Sequence, residues 1–356
     1  MARLTRSQTQ ERNRTKVLEA AKEEFAERGF REAKIDTIAE RAELTRGAVY
    51  SNFPGKRALY FAVLADLAKR APLASQRETR LTPREALGAF ARAWVARLPL
   101  TTDDPMAPER LGVDLLPEVL ADERVRRPFG QLTKLSALLL GLALEGLHPR
   151  RTRAGRQVRV AEAVLTTLHG TSQLAAAAPG FIEPFNVIGA CEQLASLEVE
   201  DVWQPPHLPY VPQARPADRA WTPPSTVDIM TGDPVRLADD GVIAVLGMHR
   251  LSAAEEAVRA APDLPLTMIM VTSTPAELAP LARLVLAELR ACLFLAFPTS
   301  ALPMLRMVSD ETGALAAAAG VPAVSDATEV AVRVVNGKIV ARAEGFGACH
   351  AAASAR

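Results

Sequence analysis

The stretch Ile38-Ala39-Glu40-Arg41-Ala42-Glu43-Leu44-Thr45-Arg46-Gly47-Ala48-Val49-Tyr50-Ser51-Asn52-Phe53-Pro54-Gly55-Lys56-Arg57-Ala58-Leu59 decides how this 356-residue chain begins. Ile35, Ile38, Ala39 and Ala42 are apolar at helical spacing and predict a short helix over 35–42. Glu43-Leu44 is a brief link, and Thr45 supplies a hydroxyl where a second helix, 46–53, needs an N-cap. Two short helices across so tight a turn describe a helix-turn-helix. Val49 and Phe53, four residues apart, face inward, which leaves Arg46, Gly47, Ala48, Tyr50, Ser51 and Asn52 on the outer side. Upstream, Val17, Leu18, Ala21 and Phe25 stripe one face of a helix over 14–28. Gly29 falls where that helix needs a left-handed residue, and Phe30 packs back. Geometry alone fits a plain three-helix bundle with a solvated charged face equally well.

The same string resembles the DNA-binding domain of the TetR family of transcriptional repressors over roughly residues 12–60. Ile38-Ala39, Ala42, Leu44 to Tyr50, Asn52-Phe53, Gly55-Lys56 and Ala58-Leu59 fall in register without gaps. The resemblance implies an all-helical, homodimeric regulator that a small-molecule effector releases from a double-stranded DNA operator. Arg46 is then placed to grip a guanine edge in the major groove. Gly47 and Ala48 permit close backbone approach. Thr45 and Ser51 lie on the same surface, and Tyr50, Asn52 and Lys56 are expected to reach phosphates. Two departures stand out. Ala33-Lys34 occupies the place where relatives carry Ser or Thr, so Lys34 would supply charge in place of a hydroxyl. Ala42-Glu43-Leu44 replaces the usual Ala-Gly-Val, so Glu43 must adopt a conformation that glycine takes more cheaply.

Charge agrees with a polyanion-binding head. Residues 1–80 hold 17 Lys and Arg against 11 Asp and Glu, whereas the remainder holds 25 against 30, within a net charge of +1. Arg3 and Arg6 read first as a loose solvated tail and second as arms that enter an adjacent minor groove, and no apolar stretch follows them as a signal peptide requires. No segment reads as a membrane span. Cys191, Cys292 and Cys349 form no disulfide or metal spacing, which fits a reducing, cytoplasmic setting.

Behind the head, helices are expected over 59–71, from Pro83 (capped by Thr82), and over 111–120, 124–147, 155–178 and 183–198. By resemblance, the last two make a dimer interface that Ala175–Ala178 would tighten, and an effector pocket lies among the helices of residues 85–175. Phe90, Trp94 and Phe129 read as core. His169 reads as a structural or interface histidine.

Residues 201–226 contain seven prolines and read as an extended connector. From 227 onward, β-branched runs alternate with Ala/Leu-rich stretches, the signature of an α/β unit. Strands are expected at 242–246, 266–272, 293–297, 330–335 and 338–342, with helices over 252–261 and 275–291. Asn336-Gly337 marks a hairpin. Asp233 to Gly241, read as an early hairpin, and Asp310-Glu311-Thr312-Gly313-Ala314-Leu315-Ala316 with Gly320-Val321 resemble thioredoxin-like and peroxiredoxin-like proteins. A redox thiol belongs at a helix start, where the dipole lowers its pKa. The loop after 266–272 reads Ser273-Thr274-Pro275-Ala276 and has no cysteine there. Cys292 is expected at a strand start and Cys349 in an exposed tail.

The fold class is therefore multidomain: a helix-turn-helix head (1–60), a helical ligand-binding and dimerisation body (61–200), a connector (201–226) and a thioredoxin-like α/β unit (227–356). The functional expectation is a non-enzymatic, homodimeric, ligand-responsive repressor without catalytic residues, cofactor or metal. The alternative is a DNA-tethered redox enzyme or thiol sensor.

Overall fold

The computed structural model describes residues 5–70, 81–100, 108–148, 156–199, 201 and 213–355. Arg3 and residues 202–212 of the proline-rich connector lie outside them.

The head is three helices closing on one apolar core. α1 (Arg6–Glu32) opens on a reciprocal capping box between Thr5 and Gln8 and breaks at Gly29, whose φ of 71° no helix accommodates. α2 (Ile35–Arg41) follows without a side-chain cap, because Lys34 has no acceptor to offer. Glu43 takes the left-handed turn at φ 55°. α3 (Arg46–Asn52) is capped by Thr45, whose hydroxyl accepts from the Ala48 amide. Val17, Ala21, Phe25, Ile38, Val49 and Phe53 are buried together. Around them Arg41 clamps α2 to α1 through Glu23, Glu24 and Glu27.

α4 (Lys56–Arg70) joins head to body. The body adds α5 (Pro83–Val95), α6 (Pro108–Leu111), α7 (Leu115–Leu120), α8 (Glu123–Gly146), α9 (Val158–Ala177) and α10 (Pro184–Leu194). Thr82 and Glu85 form the capping box expected of Thr82-Pro83. Gly141 lets α8 and α9 approach so closely that a Cβ there would lie 2.8 Å from the Val158 Cα.

The α/β unit is a six-stranded mixed sheet in the order β1-β8-β7-β4-β5-β6. Its strands are β1 (Arg215–Ala220), β4 (Gly241–Gly247), β5 (Leu266–Val271), β6 (Arg306–Ser309), β7 (Glu329–Val335) and β8 (Lys338–Glu344), and β2 (Thr226–Val227) pairs β3 (Pro234–Val235) alongside. Parallel β4, β5 and β6 alternate with α11 (Ala253–Ala260) and α12 (Pro275–Ala296), whereas β7 and β8 run antiparallel through the Asn336-Gly337 turn. Both turn residues are left-handed, at φ 50° and 69°, as a two-residue hairpin requires. α13 (Ala314–Ala318) and α14 (Ala348–Ser354) complete the unit.

Side chains of β4 alternate between two cores. Ile243 and Val245 join Trp221, Val332 and Leu315 on one face. Val242, Ala244 and Leu246 face α11, α12 and α14, and that core runs without a break into the helical body and the head. α12 lies at the junction, packed on α4, α5 and α8.

Several expectations are corrected. Residues 293–297 are not a strand: α12 continues to Ala296, and the third parallel strand is β6. Cys292 therefore sits inside a helix. Cys349 is buried in α14, not exposed in a tail. Within the expected connector, 215–220 form edge strand β1 against β8, with a register shift after Pro216. Residues 233–241 do not pair with themselves, since β3 pairs β2.

Candidate nucleic-acid interface

α3 is under two turns long, and two buried residues fix which way it faces. Val49 and Phe53 are sunk in the head's core. Thr45, Arg46, Gly47, Tyr50 and Ser51 are exposed, Ala48 and Asn52 half-buried, and Lys34 is exposed at the adjoining end of α2. Thr45, Arg46, Gly47, Tyr50 and Ser51 thus stand outward on α3 and its cap, while Lys34 stands at the N-cap of α2.

Local contacts order that row. The Arg46 guanidinium donates to Asp36 of α2 at 3.2 Å and lies 5.6 Å from the Tyr50 ring centroid. Hydrogen bonding with Tyr50, then the Asp36 charge, raise the guanidinium's pKa further, so Arg46 is a permanent cation. The Ser51 hydroxyl and the Asn52 amide both donate to the Ala48 carbonyl at 2.8 Å. Gly47 has open space, with Thr45 Oγ1 3.8 Å from where a Cβ would stand.

Lys56 is placed differently from a free phosphate anchor. Its ammonium donates to the Arg31 and Ala33 carbonyls at 3.0 and 3.1 Å and sits over the Phe30 ring. It braces the end of α1, and a phosphate would compete with two carbonyls for it. Asp36 was not singled out by sequence, because nothing in the spacing marks it as the partner of a residue ten positions on.

The joint between head and body is polar and closed. Asp114 accepts from the Phe30 amide at 2.9 Å, satisfying a donor left free by the break at Gly29. The Tyr60 hydroxyl donates to the Leu111 carbonyl. Arg57, in the first turn of α4, donates to Asp122 at 2.8 Å and to Glu277 of α12. Asp122 also accepts from Arg124, and these cations and amides hold its carboxyl far below the usual range.

An effector pocket was expected among the helices of residues 85–175, and two of these, α5 and α8, are packed against α12 together with α4. Arg97 donates to the Glu288 carbonyl at 3.0 Å and to Cys292 Sγ at 2.9 Å. His169 lies edge-on to Trp94 at 5.0 Å and near Phe129 at 5.9 Å, and burial lowers its pKa. A cavity of about 400 Å³ opens elsewhere, between Leu139 of α8, Leu293 and Phe294 at the end of α12, and residues including Met230, Arg236, Met304 and Arg306.

The helix start after β5 carries hydroxyls that are already engaged, since Thr272 and Ser273 both donate to the Asp326 carboxylate. All three thiols are buried, and burial pushes Cys191 and Cys292 up to about 11 and Cys349 well above its usual value. Among the described residues, no group of three or more His, Cys, Asp or Glu is placed to hold a metal ion. No helix among them is long and apolar enough to cross a membrane.

Comparison with known proteins bears on this surface. Residues 17–63 match the model of the bacterial regulatory proteins of the tetR family. Over 109 residues the chain is 38% identical to the uncharacterized HTH-type transcriptional regulator TtgW of Pseudomonas putida, covering 31% of this chain and 74% of that protein. The chain belongs to the tetR family. The HTH-type transcriptional regulator SrpR of Pseudomonas putida is also 38% identical over 109 residues, and the match spans about half of that relative, 46% of its length. RutR of Escherichia coli (strain K12) is 30% identical over 134 residues, 36% of this chain and 61% of RutR. Among solved structures, NalD of Pseudomonas aeruginosa, described as the secondary repressor of the MexAB-OprM multidrug efflux pump, is similar at 19% identity and a TM-score of 0.33, over 52% of this chain and 95% of NalD. The tetR-family match lies wholly within the first four helices, so the α/β unit is this chain's addition to the matched region.

Proposed function

We propose that the protein is a homodimeric, ligand-responsive repressor that lays α3 of each head in successive major grooves of a near-palindromic operator. The observation that carries this reading is the exposed row Arg46, Gly47, Tyr50 and Ser51 set outward by buried Val49 and Phe53. Arg46 reads a guanine edge. Gly47 and Ala48 allow close approach. Lys34, Thr45, Tyr50, Ser51 and Asn52 meet phosphates or adjoining base edges, and Lys56 reaches a phosphate by leaving the carbonyls it braces.

Dimerisation is assigned to the outer face of α9, α10 and the turn between them, where Leu174, Phe181 and Phe185 are exposed. Apolar side chains grouped in this way are the mark of a surface covered by another chain. The cavity beside Leu139 is a candidate seat for a small effector with an apolar body. We read the α/β unit as thioredoxin-like and non-catalytic, in keeping with thiols that are buried and raised.

The electrostatic part is tested by salt titration of the full-length protein on an arbitrary 30-base-pair duplex. Lys34→Ala should weaken binding to every sequence alike and reduce the salt slope by about 1. A slope identical to that of the unaltered protein contradicts the assignment of Lys34 to a phosphate.

A further inference from the structure

α4 is the continuation of the DNA-binding head, and one element of the α/β unit grips it along its length. α12 packs more extensively on α4 than on any other helix. Leu281, Leu284, Leu289 and Cys292 of α12 are buried in the same core as Leu59, Ala62 and Val63 of α4. At the head end, Arg57 ties Glu277 of α12 and Asp122 of α8 together, each of the three side chains being between 17% and 26% exposed. Further along, Arg97 anchors the middle of α12 to α5's end through Glu288 and Cys292. Arg14 of α1 feels the charges of both Arg283 of α12, which repels it, and Glu311, which attracts it.

We propose that α12 is a tethered brace that holds the head in its DNA-binding setting, and that the Arg57–Glu277 contact is the latch through which the α/β unit sets the position of α4. This rests on the DNA-binding reading above. Glu277 is a positioning residue, since it acts on DNA only through α4. A head held in place has less freedom to lose when two half-sites are engaged, so opening the latch weakens binding. Signals that move the α/β unit then reach DNA through α12.

The variant Glu277→Ala separates the latch from the fold. Arg57 keeps Asp122 as its partner, so no guanidinium is left buried without a counter-charge. Two readouts are taken on the full-length protein: amide hydrogen exchange without DNA, and affinity for the duplex recovered by selection. Exchange in the first two turns of α4 should quicken, and affinity should fall by roughly tenfold, within the 5- to 150-fold range of coupled sites. Arg57→Ala combined with Glu277→Ala should lose more than Glu277→Ala alone, because it also breaks the contact with Asp122 of α8. Unchanged exchange in α4 overturns the latch, and quicker exchange with unchanged or tighter binding overturns its role in holding the head for DNA. If the unaltered protein bound no duplex, the repressor reading would fall, and the exchange measurement would still decide whether α12 restrains the head.

Discussion

Phe185 offers the sharpest test of how two chains meet. It stands in the first turn of α10 and is 80% exposed, with Phe181 at 70% nearby. Truncation to alanine therefore removes little from the folded monomer. Complete burial of a phenylalanine contributes about 1.5–3 kcal/mol. A two-fold interface buries the residue twice. Scaling by the 80% that is free to be covered gives roughly 2.4–4.8 kcal/mol per dimer. At about 1.4 kcal/mol per tenfold, the dissociation constant should rise between about 50- and 3,000-fold. Sedimentation equilibrium across a concentration series reads this directly, with urea midpoints taken alongside. A rise below about fivefold, with unchanged monomer stability, would refute the assignment of α9 and α10 to the interface.

Other expectations follow from single positions. Gly47→Ala meets no neighbour closer than 3.8 Å and should stabilise α3 by up to about 1 kcal/mol, yet weaken operator binding by crowding the backbone against DNA. Unchanged affinity in a filter-binding assay would mean that DNA does not come close there. Gly141→Ala sets its Cβ 2.8 Å and 2.9 Å from backbone atoms of Val158, which cannot swing aside. Overpacking of about 1–3 kcal/mol should outweigh about 1 kcal/mol of helix propensity, and the urea midpoint should fall. Burial, then the charge of Glu329, push the Glu256 carboxyl up to about 7, and its Oε2 has no hydrogen-bond partner. The folded state then keeps a proton that the unfolded state releases, so this residue's contribution to stability declines as pH rises from about 4.5 to about 7. The advantage of Glu256→Gln over the unaltered protein should grow between about pH 5 and about pH 7.5, and a flat difference in denaturation free energy would contradict it.

What the sequence made legible was local. Ile35, Ile38, Val49 and Phe53 announce their buried faces by spacing, Thr45 and Thr82 announce caps, and Asn336-Gly337 announces a turn. The extent of α12 was not legible, because a helix buried on several sides has no polar stripe, and Leu293-Phe294-Leu295-Ala296-Phe297 then reads as a buried strand. β1 was hidden by Pro216 and by its charged, exposed side chains, which suit an edge strand and also a connector. The engagement of Lys56 with carbonyls depends on how α1 ends at Gly29, which spacing does not reveal. Least legible was the joint, where Arg57 and Glu277 meet across 220 residues.

The central claim is that α3 reads DNA, and selection from a random duplex library tests it most directly. The full-length protein and its Arg46→Ala variant are compared, each with and without reducing agent. One near-palindromic site should be recovered under both conditions, with preference relaxed in the variant at the positions facing Arg46. Recovery of the same site at the same stringency by the variant, or no enriched site from the unaltered protein, would contradict the account.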